Sequence, residues 1–119
     1  MSKISNKINF GNFFEDFSID QKIVHSLPRT ISDGDVSLYI AFTGSRFALH
    51  SSDTVAKQMG YDKKPIDDML MFHLTFGKSV QDVSLNAIAN LGYAEMSFPN
   101  SVFVGDTVSM TSTVIGLKE

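Results

Sequence analysis

The chain contains no cysteine. It therefore has no disulfide, no thiol nucleophile and no cysteine-based zinc site, and this composition fits a cytoplasmic protein. Neither charge sign dominates. Ten basic and thirteen acidic side chains leave a net charge of -3, which is no footprint for nucleic acid or for an anionic lipid surface. Lys3 and Lys7 are too sparse to make a polybasic tail. Long apolar runs are missing too, so no transmembrane helix is expected, and residues 1–12 lack the apolar core of a secretory signal. The three histidines are scattered, without the spacing of a metal-ligand set. No metal or cofactor is expected on these grounds.

What the chain does have suits one folded domain. Its 119 residues are enough to bury a core without disulfides or metals. Ten phenylalanines and six methionines make that core aromatic and adaptable. Residues 1–12, rich in Asn, Lys and Ser, read as a loose lead-in. Ile23 to Ile31 reads as a first strand, broken or bent at Pro28, with His25 exposed on it.

Ser32-Asp33-Gly34-Asp35 is a helix start, with Ser32 as cap and an acidic residue three positions on. Val36, Tyr39, Ile40 and Thr43 follow at helical spacing, and Gly44 ends the run. A short helix is expected from Ser52 to Met59, closed by Gly60. Pro65 opens the longest helical pattern, to about Gln81. Ile66, Met69, Leu70, Phe72, His73, Phe76 and Val80 recur there at three- and four-residue steps. Apolar residues cover so much of its circumference that deep burial is expected, with His73 a core or interface group. Strands are expected over 85–98 and 107–115, with turns at Asn100-Ser101 and Gly105-Asp106. The layout is α+β, a helix laid on an antiparallel sheet.

Several segments resemble the MaoC-like dehydratases. One runs from Phe13-Phe14-Glu15-Asp16-Phe17 to Arg29-Thr30-Ile31-Ser32. Another runs from Asp35-Val36 to Thr43-Gly44. A third is Phe98 through Val102-Phe103-Val104-Gly105-Asp106-Thr107-Val108, with Ser101 where proline is usual. Thr43 to Asp53, Pro65-Ile66-Asp67-Asp68 to Lys78, Ser84 to Ala87 and Asn90 to Ala94 are similar to the first half of the family's two-domain members. The resemblance implies a hot-dog fold, a long central helix packed on an antiparallel sheet. Final strands of that fold would follow Ile115, so residues 13–119 are expected to form a single, incomplete hot-dog domain. It also implies a hydro-lyase acting on an enoyl-CoA or 3-hydroxyacyl-CoA thioester of the mesaconyl-CoA/β-methylmalyl-CoA type. CoA then enters only as part of the substrate. The expected partner is a second copy, in a homodimer or higher oligomer, or a second hot-dog domain.

The family's acid/base pair sits in a G-D-x-N-P-[LIV]-H motif, where the Asp and the His handle the two protons of water addition. Gly44, Leu49 and His50 fall on that motif, but Ser45 holds the Asp position, Phe47 the Asn position and Ala48 the Pro position. A serine is no base near neutral pH without an activator. The family's His-Gly ahead of the central helix is also replaced, by Asp67-Asp68-Met69. His50 remains the candidate base, with Asp53, Asp67 or Asp68 as its possible partner. Packing at a domain interface is the plainer role for His50, and helix capping the plainer one for Asp67 and Asp68. Ser45, Arg46, Phe47 and Phe72 are the candidate substrate-binding residues, and Lys63-Lys64 a candidate contact for the CoA phosphates. The alternative reading is a non-catalytic half that binds acyl-CoA or scaffolds a catalytic partner.

Overall fold

The computed structural model describes residues 11–26 and 28–119. In chain order the elements are β1 (Lys22–Val24), β2 (Arg29–Thr30), α1 (Asp33–Thr43), α2 (Asp53–Gln58), α3 (Asp68–Ser79), a π-helical turn Val80–Ser84, β3 (Thr107–Val108) and β4 (Thr111–Thr113). Residues 1–10, most of the expected lead-in, lie outside the described residues. Asn12 is bonded to the far end of the long helix, its Nδ2 donating to the Asp82 carbonyl at 2.7 Å.

The α1 boundaries follow from local chemistry. Ser32 Oγ accepts from Asp35 N at 3.2 Å, and Asp35 Oδ2 accepts from Ser32 N at 2.9 Å, which satisfies two orphan donors of the first turn reciprocally. Arg29 grips the same carboxylate in a fork, at 3.0 and 2.7 Å. At the other end Gly44 takes a left-handed conformation, φ 64°, that a side chain would strain. Ser52 caps α2 in the expected place.

The strands form two short antiparallel ladders. β1 pairs with β4, Ile23 facing Ser112, and β2 pairs with β3, Thr30 facing Thr107. Along this antiparallel ribbon the first ladder ends at Val24 opposite Thr111, and the second begins at Arg29 opposite Val108. Pro28, which has no N–H to give a ladder, immediately precedes β2. The break expected near Pro28 is therefore real, and it also splits the expected strand 107–115 in two. Residue 27 lies outside the described residues.

Three expectations need correction. First, α3 starts at Asp68 rather than near Pro65, because Asp67 is its cap: Oδ1 accepts from Met69 N at 2.7 Å. Pro65 and Ile66 are buried ahead of it in non-helical backbone, held by a bond from Ile66 N to Val102 O of 2.8 Å. Second, α3 is not deeply buried; only Leu70 and Ser79 are, and His73 is exposed. The described ribbon is narrow and covers one side of the helix. Third, residues 85–98 form no strand. Apolar content does not make a strand unless an adjacent edge satisfies its amides, and no described strand runs beside this segment. Tyr93 is the tether, set edge-on against Phe72 and Phe76 of α3 at 5.3 and 5.6 Å between ring centroids.

The core joins ribbon and helices. Ile31, Val36, Ile66, Leu70 and Val108 are buried together, with Tyr39, Ile40, Met71 and Leu74 packed around them. Ile88 and Leu91 by contrast are fully exposed. The radius of gyration, 18.1 Å, exceeds the ~13.5 Å of a compact domain this long. Much apolar surface thus remains uncovered by this chain.

Candidate active site

His50 ends a 3-10 turn, Ala48–His50, between the C-terminus of α1 and the cap of α2. Leu49 anchors the turn by burial, and His50 beside it is half-buried. Its Nδ1 lies 3.0 Å from the carbonyl oxygen of Pro65. A carbonyl only accepts, so Nδ1 carries the ring proton and Nε2 presents a lone pair. Phe47 stands edge-on to the imidazole, centroids 5.2 Å apart at 85°. His50 is thus oriented on one side by a backbone acceptor and on another by an aromatic wall. That arrangement can take a proton at Nε2.

The three candidate carboxylates do not bond to it. Asp53 Oδ1 accepts from Lys64 N at 2.9 Å. That bond, helped by the charges of Lys64, Lys57 and Lys63, holds its carboxyl below the ordinary range. Asp53 with Asp33, Lys63, Lys64 and Val104 lines a separate polar cavity of about 240 Å³. Asp67 is the α3 cap, and Asp68 is exposed in the first turn. Ser45 is half-buried with its amide on Thr43 Oγ1 at 3.3 Å. Arg46 is exposed and forms no ion pair among the described residues. Phe72 stacks on Phe76, centroids 5.2 Å apart, away from His50's bonding partners. Phe47 is therefore the one candidate substrate-binding residue in ring contact with His50. Lys63 Nζ donates to Val104 O at 3.3 Å and lies 5.5 Å over the Phe103 ring.

Two features escaped the sequence reading. Arg29, Asp35, Leu38, Tyr39, Phe42, Leu70 and Leu74 line an open, mainly apolar groove of about 350 Å³ between α1 and α3. At this groove burial, then the charge of Asp67, pushes the Tyr39 phenol above its ordinary value. The second is a correction: His25 is not surface-exposed but 3% accessible, hydrogen-bonded to Asp82 and Ser112. Side chains two apart on a strand share a face, so Ile23 already placed His25 inward.

A family model described as MaoC like domain matches residues 15–119. The chain belongs to the MaoC-like family. It is 58% identical over 116 residues to beta-methylmalyl-CoA dehydratase of Chloroflexus aurantiacus, covering 98% of this chain and 33% of that protein. It is 52% identical over 113 residues to mesaconyl-CoA hydratase of Cereibacter sphaeroides, covering 95% and 33%. The solved structure of a MaoC domain protein dehydratase from Chloroflexus aurantiacus superposes with a TM-score of 0.90 at 59% identity, over 94% of this chain and 32% of that one. The chain spans about a third of the length of the curated relatives it matches. The fold is the α+β hot-dog arrangement of this family, with α3 as its central helix lying on the antiparallel ribbon. No helix among the described residues is long and apolar enough to cross a membrane.

Proposed function

We propose that this MaoC-like domain serves an acyl-CoA hydro-lyase acting on an enoyl-CoA or 3-hydroxyacyl-CoA thioester of the mesaconyl-CoA/β-methylmalyl-CoA type. One observation carries the proposal: among the described residues His50, on the family's motif, has its Nδ1 proton engaged by Pro65, and neither a partner for Nε2 nor a bonded carboxylate is found. Hydration of a conjugated thioester needs a base for water, an acid for the α-carbon, and a donor to the thioester oxygen. This domain offers the first of these at most. Its share is the pocket wall, with a second hot-dog domain supplying the acid/base pair. The exposed apolar surface of α3 and of residues 85–98 supports such pairing, which sedimentation at high concentration would register as a dimer or larger species. The reaction needs no cofactor beyond the CoA of the substrate, and a cytoplasmic setting suits it.

The test is hydration of mesaconyl-CoA and crotonyl-CoA, followed by loss of the enoyl-thioester absorbance. The 119 residues are assayed alone, then with a second hot-dog half of the family added. Turnover only in the mixture, surviving His50→Ala, is the expected result. Turnover by the chain alone that His50→Ala abolishes would show that this domain carries the chemistry itself. No turnover in either assay, with intact folding, would remove the hydro-lyase reading.

A further inference from the structure

Asp82, His25 and Ser112 form a hydrogen-bonded chain that the reaction above does not use. Asp82 Oδ2 lies 2.7 Å from His25 Nδ1, and His25 Nε2 lies 2.6 Å from Ser112 Oγ. An ionised carboxylate only accepts, so the ring proton sits on Nδ1. Nε2 then faces the serine hydroxyl as an acceptor. In that protonation pattern a neutral imidazole serves a serine as general base.

Three separate elements set the geometry. Ser112 stands on β4 opposite Ile23, His25 directly follows β1, and Asp82 lies in the π-helical turn after α3. The backbone is pinned at two of these points, His25 N to Met110 O at 3.1 Å and Asn12 Nδ2 to Asp82 O at 2.7 Å. The imidazole is wholly buried, whereas Ser112 is half-buried. Ser112 also lines a mainly apolar cavity of about 240 Å³ with Phe17, Ile23, Val83, Val114 and Leu117. The serine therefore has an oriented base behind it and an apolar slot beside it. A purely structural histidine needs the two hydrogen bonds but has no use for the slot.

We propose that Ser112 is a nucleophile for acyl transfer, activated by His25 and oriented through Asp82, and that it accepts small activated acyl esters whose acyl chain enters the slot. Ser112 Oγ bonds to the carbonyl carbon while its proton passes to His25 Nε2. The tetrahedral adduct expels the thiolate or alkoxide, breaking the C–S or C–O bond, and His25 returns the proton to that leaving group. Water, deprotonated by Nε2, then attacks the acyl-serine and releases the carboxylic acid, and Ser112 regains its proton. No redox partner is required.

The experiment treats the folded chain with a fluorophosphonate probe and maps the adduct by mass spectrometry. Thiol release from butyryl-CoA and phenolate release from p-nitrophenyl butyrate are followed in parallel, to separate thioester from oxoester donors. The expected result is an adduct on Ser112, absent in Ser112→Ala. Asp82→Asn should slow labelling by about a hundredfold or more, because the asparagine amide donates to Nδ1 and moves the ring proton to Nε2. Its circular dichroism and Tm are recorded alongside, and any loss is read only on folded protein. His25→Gln is a second probe of the base. Absence of a Ser112 adduct on the wild-type chain overturns the proposal. So does labelling that Asp82→Asn and His25→Gln leave unchanged. The outcome is independent of the enoyl-CoA hydration assay, so each proposal fails or stands by itself.

Discussion

Truncating Leu70 to alanine tests the packing of the central helix most directly. Leu70 is 5% exposed and meets Ile31, Val36, Ile66 and Val108, so it joins α3 to α1 and to the ribbon. The substitution removes three carbons, worth about 2.5 kcal/mol at ~0.8 kcal/mol each. A residual cavity adds to this, for a usual total of about 2–5 kcal/mol. Here the surrounding Met71, Leu74 and Tyr39 are only partly buried and can relax into the gap, which puts the expected loss near ~3 kcal/mol. With a urea dependence of about 1.5 kcal/mol per M, the unfolding midpoint should fall by ~2 M. The control is Phe42→Ala, at the open rim of the groove between α1 and α3. Phe42 is larger than Leu70 but 83% exposed, and its removal should cost no more than about 0.5 kcal/mol. Should Leu70→Ala unfold without denaturant, Ile31→Val, at about 1 kcal/mol, supplies a milder step in the same cluster. Equal small shifts for Leu70→Ala and Phe42→Ala in circular-dichroism melts would refute the described core.

Other expectations are as specific. Asp35 has its carboxyl held below the ordinary range, by the Arg29 fork first and then by the Ser32 amide. Its contribution is therefore complete above the unfolded value and disappears as pH falls through the folded one. Asp35→Asn should cost about 0.5–1 kcal/mol near neutrality, and its gap from wild type should close in acid urea titrations. Tyr39 has the opposite shift, so the stability it adds is present below the ordinary phenol value and lost as pH rises through the folded one. In an ultraviolet phenolate titration Tyr39→Phe should delete a phase above the ordinary phenol range, and Asp67→Asn should bring that phase earlier. Ser45→Asp alone should not create hydration of crotonyl-CoA, because Phe47 still stands against the His50 ring; measurable turnover by that variant would count against this account of the motif.

Elements whose ends depend on local chemistry were legible in the sequence. The Ser32–Asp35 box and the left-handed Gly44 bound α1 where the residues predict, and Ser52 likewise opens α2. Such caps involve atoms three or four residues apart, so no tertiary information is needed. The start of α3 was misread because Pro65 is an ordinary first helical residue, yet Asp67 competes for the same role and prevails through its bond to Met69 N. Residues 85–98 failed for another reason. Their apolar content fits a buried strand, but strand formation depends on a neighbouring edge that no local pattern specifies.

The two histidines show why the site was only partly legible. His50 was found because it lies on a motif, and its ring is held by Pro65, a residue brought near by the return of the chain into α3. The motif named the residue but not its partner: the same chain geometry gives Asp53 to Lys64 and Asp67 to Met69. His25 carried no motif and was assigned to the surface. Its partners lie 57 and 87 positions away, Asp82 reached through the π-helical turn and Ser112 through the ladder register. A one-residue slip of β4 against β1 would put Ser112 on the opposite face and leave Nε2 buried without a partner, at a cost of about 1–3 kcal/mol. The hydrogen bond to Ser112 thereby selects the ribbon register as well as orienting the ring. Ser112→Ala should accordingly lower stability through the orphaned imidazole, whereas Ser112→Thr, which retains a hydroxyl, should restore most of that loss. If alanine and threonine behave alike in urea unfolding, His25 does not depend on this partner, and the register is set by other contacts.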